Sequence, residues 1–532
     1  MASVLSSVLA VALCCTPAAQ AFSEPIKITS PKKLPIGASW DIPHDFASFS
    51  FPAHFFVDYT GNSTHPNLFS RDIFDLLYSK TGSHPFIRVG GTSTDRVWYN
   101  ASQEIGAYNW WNTTESFTTQ YGIPDMVYIG PGFFDGFHNF PGTRWSWQLN
   151  MGNTFGKKGG LENALEVAKI VMDNVKDKLE SFEIGNEPDL MVRFGHRSEG
   201  YSLKEYVKEW NQYATKASKH ILKHNKYGLA KKRFFQGLLV AGTKEPEWSI
   251  EEALLDGLDQ NGFLKSVSYH QYAARNEPWV RLQNSYMNHT ANAANVTQYK
   301  SAIEACHEHE PKLPFVLGET NSNSYNLNMS QIEGVFGSAL WLIDHLLMGM
   351  ATGTTFGYSG WVPVPQDGRE PHVRAPLYGQ IFAADVLGHH SKVQVYPIPQ
   401  LPWNVSAYGI YESRNLAKYV VINFDEWNST TRYERPVQQF SLEVPLWADK
   451  VEVQRLTGSG ASADEGIQWA GQSWNYTDGR LVEKGSKHWE LYATKNGVVE
   501  LDLKSSEAVL VTLKSAGSVT HNFLSEDVTT RG

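Results

Sequence analysis

From Phe46 to Tyr358 short apolar runs alternate with longer stretches of helical periodicity, and this alternation narrows the fold more than any other feature. The runs are Phe46–Phe51, Pro85–Gly90, Asp125–Gly130, Ser181–Gly185, Gly237–Gly242, Leu264–His270, Leu313–Thr320 and Gly353–Tyr358. Helical patterns cover Leu68–Ser79, Leu203–Leu222, Val296–His309 and Ile332–Met350, and Leu161, Leu165, Ala168, Val171 and Val175 make a further apolar stripe. A strand that must cross a helix before the next strand returns parallel to it. Eight such units predict an α/β chain folded as a (β/α)8 TIM barrel, with functional residues at the C-terminal strand ends.

Past His389 the texture changes. Lys418–Asn423, Phe440–Val444, Lys450–Arg455 and Ala508–Leu513 are short and alternating, broken by Gly and Pro, which predicts a C-terminal antiparallel β-sandwich. The division that follows is a secretory leader at 1–21, a segment at 22–35 adding a strand (Pro25–Thr29) to the sandwich, a barrel at 36–388 and the sandwich at 389–532. Val4–Cys15 is apolar and Ala19-Gln20-Ala21 is a small-x-small cleavage pattern, although no basic residue precedes them.

The secreted, extracellular reading has separate support from nine Asn-x-Ser/Thr triplets, at Asn62, Asn100, Asn112, Asn288, Asn295, Asn328, Asn404, Asn428 and Asn475. These are candidate carriers of N-linked glycans. Of the three cysteines, Cys14 and Cys15 fall within the leader, leaving Cys306 as a packing residue with no internal disulfide. A net charge of −9 argues against a nucleic-acid surface, and no later segment is apolar enough to span a membrane. Seventeen tryptophans favour a carbohydrate partner, since flat rings stack on the C–H faces of sugars; a large core would use them too. No His or Cys grouping has a zinc spacing and no glycine-rich loop fits a phosphate, so neither metal nor cofactor is called for.

Two of the strands deliver a glutamate at their exits: Glu187, between Asn186 and Pro188, and Glu319, between Gly318 and Thr320. Proline restricts the residue before it, so the backbone aims Glu187. A retaining glycosidase needs one carboxylic acid and one carboxylate about 5–5.5 Å apart across the scissile bond. Glu187 suits the acid/base and Glu319 the nucleophile, whose charge would help keep its neighbour protonated.

Asn186-Glu187-Pro188 with Gly318-Glu319-Thr320 resembles the pattern of clan A retaining glycoside hydrolases. Arg88-Val-Gly-Gly-Thr-Ser-Thr-Asp95 is similar to a stretch of glycoside hydrolase family 79, which includes heparanase, and Ile42–Asn62 with Pro66–Phe69 resembles the family's fungal and bacterial β-glucuronidases. The resemblance implies a secreted, retaining exo-β-glucuronidase acting on terminal glucuronic acid of glycans, 4-O-methylated or not. It implies that Asn186 meets the sugar 2-hydroxyl and that Thr92, Ser93 and Asp95 stand at the sugar-binding end of the second strand. His270 or Tyr272 would orient Glu319. Candidates for reading the substrate carboxylate are Tyr325, Tyr358, Ser359, Gly360 and Arg374. Where relatives often carry a first-strand glutamate this chain has Pro52 or its neighbour, so that contact does not transfer. Two alternatives stand beside this reading. An endo-acting enzyme of heparanase type is disfavoured by small basic clusters, and a silent carbohydrate binder by two intact glutamates.

Overall fold

The computed structural model describes residues 24–46, 48–112, 122–152, 158–224, 233–242, 248–275, 277–323, 330–352, 360–366 and 368–515. Within them the barrel sheet holds seven parallel strands: β1 (Phe49–Pro52), β2 (Ile87–Gly90), β3 (Trp145–Leu149), β4 (Leu179–Ile184), β5 (Phe235–Val240), β6 (Leu264–Ala274) and β7 (Phe315–Asn323). Each pairs with its successor, so all their C-terminal ends open on one face. The expected eighth strand, Gly353–Tyr358, lies outside the described residues, as does the leader. Helices such as Leu68–Thr81, Gly160–Val175 and Leu203–His224 make the outer layer.

The expected third strand is corrected. Met126–Ile129 joins Val97–Tyr99 and Ala107–Trp110 in a separate three-stranded sheet, and the barrel takes Trp145–Leu149 instead. All five residues of β3 are buried, the polar Ser146 and Gln148 of its alternating sequence included, because a barrel strand is covered on both faces. The stretch expected as one helix from Val296 to His309 is two, His289–Thr297 and Lys300–Glu308, the first capped by the Asn288 side chain. Cys306 sits buried in the second, a free thiol pushed up to about 12 by burial.

The C-terminal strands form a large antiparallel sheet, and a smaller sheet in which Ile26–Ile28 lies parallel to Val437–Glu443. Alternate residues of Val405–Glu412 serve two cores. Val405, Ala407 and Tyr411 pack inside the sandwich, whereas Tyr408 and Ile410 join the barrel core. A sheet buried on both faces cannot swing freely against its neighbour. Among the described residues no helix is long and apolar enough to cross a membrane.

Candidate active site

The C-terminal ends of β1, β2, β4, β5, β6 and β7 line a cavity of about 1720 Å³. Its floor is built around Arg88 of β2, a charge set in an apolar strand and only 2% exposed. The guanidinium donates to Glu183 (2.7 Å), to Ser50 (3.1 Å), to Glu319 (2.6 Å) and to the Asn186 side-chain carbonyl (2.9 Å). An isolated buried charge would be prohibitively costly, and here one cation faces two carboxylates with hydrogen bonds satisfying both. A Cβ at Gly90 would lie 2.5 Å from the Arg88 guanidinium carbon, so only glycine leaves room for this arrangement.

Glu187 follows β4 with φ 44° and ψ 57°, left-handed values that few non-glycine residues adopt. Gly185 before it is left-handed too (φ 77°), and Pro188 after it opens a short 3-10 turn. Leu238 and Leu239 on β5 also have positive φ, where the register with β6 skips a residue. This bulge presents the Leu239 carbonyl, which accepts the Glu187 N–H at 2.8 Å. The strain is held in place by the sheet, as happens where a side chain must be aimed.

Glu319 lies within β7, and both of its oxygens are engaged. Oε1 accepts from Arg88 and Oε2 from the Tyr272 hydroxyl at 2.6 Å. Burial favours its neutral form, but His270, Arg88 and Tyr272 outweigh it and hold the carboxyl down to about 2. His270, fully buried on β6, is hydrogen-bonded through Nδ1 to Glu187 at 3.0 Å and stands 3.8 Å from Glu319. Burial opposes its charged form, yet the Glu319 and Glu187 carboxylates together hold its pKa above the ordinary value. Of the two residues expected to orient Glu319, Tyr272 bonds it directly, whereas His270 is bonded to Glu187.

Oxygens of Glu187 and Glu319 and a nitrogen of His270 all lie within 4.8 Å of one another. Such a trio could be read as a cation site. The hydrogen bonds already taken by Glu319 suit instead a carboxylate held ionised by neutral and cationic donors.

The other expected site residues divide. Thr92 and Ser93 line the cavity, and the Ser93 hydroxyl has no protein partner among the described residues. Asn186 is buried: its carbonyl is taken by Arg88 and its amide points to Thr92 Oγ1 at 3.5 Å. Asp95 is corrected. It does not line the cavity but accepts the backbone N–H groups of Met151, Gly152 and Asn186 (2.7, 3.2 and 2.9 Å), pinning the Glu187 exit. Burial raises its pKa to about 6 against those hydrogen bonds. Gly360 is not among the residues lining the cavity; its carbonyl accepts the Arg374 N–H, and a Cβ there would meet Leu377. Arg374 does line the cavity, half-buried, its guanidinium making no hydrogen bond or ion pair with a described residue. Tyr325, Tyr358 and Ser359 lie outside the described residues.

Sequence reasoning missed Arg88, Glu183 and Asp189 as members of the site. Arg88 and Glu183 carried a usable signal, opposite charges each set inside an apolar strand. Asp189 lines the cavity with both oxygens on the Ala241 N–H (3.0 Å each), and burial with the nearby Glu187 charge pushes it up to about 7.

The chain is similar to several known proteins. Residues 407–510 match the glycosyl hydrolase family 79 C-terminal beta domain. A β-glucuronidase of Aspergillus niger is 30% identical over 515 residues, covering 90% of this chain and 93% of its own. A β-glucuronidase of Neurospora crassa is 29% identical over 482 residues, covering 81% and 84%. The crystal structure of a 4-O-α-L-rhamnosyl-β-D-glucuronidase from Fusarium oxysporum has a TM-score of 0.74 at 20% identity, covering 92% of this chain and all of that one. With relatives matched along nearly their whole length and the sandwich matched separately, this chain belongs to glycoside hydrolase family 79.

Proposed function

We propose that this chain is a secreted, retaining exo-β-glucuronidase that removes terminal β-linked glucuronic acid from glycans. The observation that carries the reading is the Glu187–Glu319 pair, with oxygens within 4.8 Å, one of them already ionised and doubly bonded. Glu319 attacks the anomeric carbon as Glu187 gives its proton to the glycosidic oxygen. The carbon–oxygen bond to the aglycone breaks and an ester to Glu319 forms. Glu187 then takes a proton from water, whose oxygen attacks the anomeric carbon on the face the aglycone left, opposite Glu319, and Glu319 departs as a carboxylate, so the configuration is retained. The buried Arg88 and the Tyr272 hydroxyl stabilise the carboxylate as it leaves.

Glucuronidase activity is supported by the two curated relatives, both β-glucuronidases. The cavity exceeds the roughly 300–1,000 Å³ of a common small-ligand site. That leaves room for a 4-O-methyl group on the sugar and for aglycone sugars beyond it. Arg374 on the cavity wall, whose charge is also felt by Glu333, supplies a cation for the substrate carboxylate. Export through the 1–21 leader and N-glycosylation complete the proposal, resting on the sequence alone.

The test is hydrolysis of an aryl β-glucuronide beside the matching β-glucoside, with Glu319→Gln as control. Turnover of the glucuronide, lost in the variant and yielding the β-anomer first by NMR, is the expected result. Release of internal fragments from a polymeric glucuronide would overturn the exo reading; turnover by the variant would overturn the nucleophile.

A further inference from the structure

Beyond β6 the chain passes through Glu277-Pro278-Trp279-Val280-Arg281 before the single turn Leu282–Tyr286. Trp279 lines the catalytic cavity yet is 67% exposed, and no described residue stacks on its ring or hydrogen-bonds its indole. Its neighbour Val280 is buried, so the backbone sends one side chain into the core and the other outward. The segment is tightly held. Arg281 donates to the Pro278 and Val280 carbonyls (2.6 and 2.7 Å), Asn284 donates to the Trp279 carbonyl (3.2 Å), and the Val280 N–H reaches Glu277 (3.0 Å). Gln283 in the next turn is braced on the sandwich, donating to Phe424 and accepting from the Glu426 N–H. A single exposed tryptophan needs no explanation. One whose backbone is fixed by so many hydrogen bonds at the rim of an active-site cavity is a pre-formed surface, because its position is settled before any ligand arrives.

Phe55, the other large exposed ring on the cavity wall, differs. It is 41% exposed and its ring packs on His54 at 4.0 Å between centroids. Trp279 alone of the two offers an indole with no packing partner.

We infer that Trp279 is the platform on which the first leaving-group sugar stacks, an aglycone subsite for a hexopyranosyl residue. The inference rests on the exo reading. The glucuronosyl ring sits on the floor between Glu187 and Glu319, so whatever extends outward past the rim is the leaving group. The apolar C–H face of a pyranose matches the flat indole, and the indole N–H is a spare donor for a hydroxyl.

The experiment compares kcat/KM for two substrates with the same terminal sugar: methyl β-glucuronide, whose aglycone is too short to reach the rim, and an oligosaccharide with β-glucuronosyl on a two-sugar aglycone. In Trp279→Ala the ratio of oligosaccharide to methyl glycoside should fall at least about tenfold, the loss expected when one well-packed ring contact is removed. Trp279→Phe should restore most of it. A ratio unchanged in Trp279→Ala overturns the inference, whether both activities hold or both fall together. If the wild-type chain hydrolyses neither substrate, the activity assignment has failed instead. Calorimetry with the oligosaccharide then decides the platform: weaker binding by Trp279→Ala sustains it, and equal binding overturns it.

Discussion

Replacing Tyr272 by Phe removes one hydroxyl from Glu319, the proposed nucleophile, and leaves the ring in place. The bond lost is 2.6 Å long and ends on a buried carboxylate whose pKa is held at about 2. Hydrogen bonds to charged groups contribute about 1.5–3 kcal/mol, and about 1.4 kcal/mol corresponds to one pH unit, so the Glu319 pKa should rise by about one to two. The sign follows from which form the hydroxyl favours: it donates to the ionised carboxylate, so its loss favours the neutral one. The acid limb of kcat/KM should therefore move to higher pH. In the proposed double displacement the same bond re-forms as the ester breaks and charge returns to Glu319, so the second step should slow by about 10- to 150-fold. Rapid mixing with an activated aryl glucuronide should then show a burst of aryl alcohol ahead of a slow steady rate. Because the Glu319 pKa is depressed in the folded chain, its contribution to stability is full above the ordinary carboxylate range and fades as pH falls toward 2. The variant should accordingly unfold at a less acidic pH than the parent. An acid limb that stays put with no burst would show that Tyr272 does not act on Glu319 as argued.

Three other outcomes follow from the structure. Arg374→Gln should lower the ratio of glucuronide to glucoside turnover at least about tenfold if that guanidinium reads the carboxylate, and an unchanged ratio would discard it. Arg88→Met strands Glu183 and Glu319 without their cation, which costs about 3–5 kcal/mol of a typical total near 5–15; urea unfolding should show it, and a midpoint unmoved would refute the pairing. In secreted protein, peptide mapping after endoglycosidase treatment should find glycans at the exposed Asn100 and Asn475. It should find none at Asn428, whose amide donates to Glu426 and whose carbonyl accepts the Ser462 N–H, and a modified Asn428 would contradict that.

The two catalytic candidates were legible because their signal is local: an apolar run, then a carboxylate fixed by glycine or proline. The barrel was legible because alternation of strands and helices survives imprecise boundaries. What escaped was whatever depended on distance in the chain. Trp145–Leu149 alternates like a strand with one wet face, yet both faces are buried, and its polar members Ser146 and Gln148 make sense only once Glu183 and Arg88 stand opposite. Asp95 lay in a motif resembling a sugar-binding one, yet its carboxylate is spent on three backbone N–H groups from two later segments. Residue type announces that a buried acid has a task; only the fold says whether the task faces the cavity or the backbone.

The same limit applies to the sandwich, whose strands were visible but whose connection to the catalytic strand was not. Thr320, next to Glu319, contacts His345 Nε2 at 2.8 Å; His345 Nδ1 lies 3.2 Å from the Asn292 carbonyl; and the Asn292 amide donates to Asp344 at 2.7 Å. Burial opposes the charge on Asp344, but His289 and its hydrogen bonds outweigh that and hold its pKa below the ordinary value. A carboxylate accepts only, so Asn292 must turn its amide to Asp344 and its carbonyl to His345. Burial lowers His345 to about 4, so its ring is neutral; Nδ1 then carries the proton for the Asn292 carbonyl, and Nε2 and Gln271 Oε1 (3.1 Å) both face the one proton of the Thr320 hydroxyl. One buried charge thereby sets the direction of the bonds as far as His345, which touches the residue beside Glu319. Tyr408 of the sandwich donates to that same carboxylate at 2.6 Å. The C-terminal domain is therefore part of the framework that holds β7, and removing it would leave Asp344 short of a donor that the barrel does not supply.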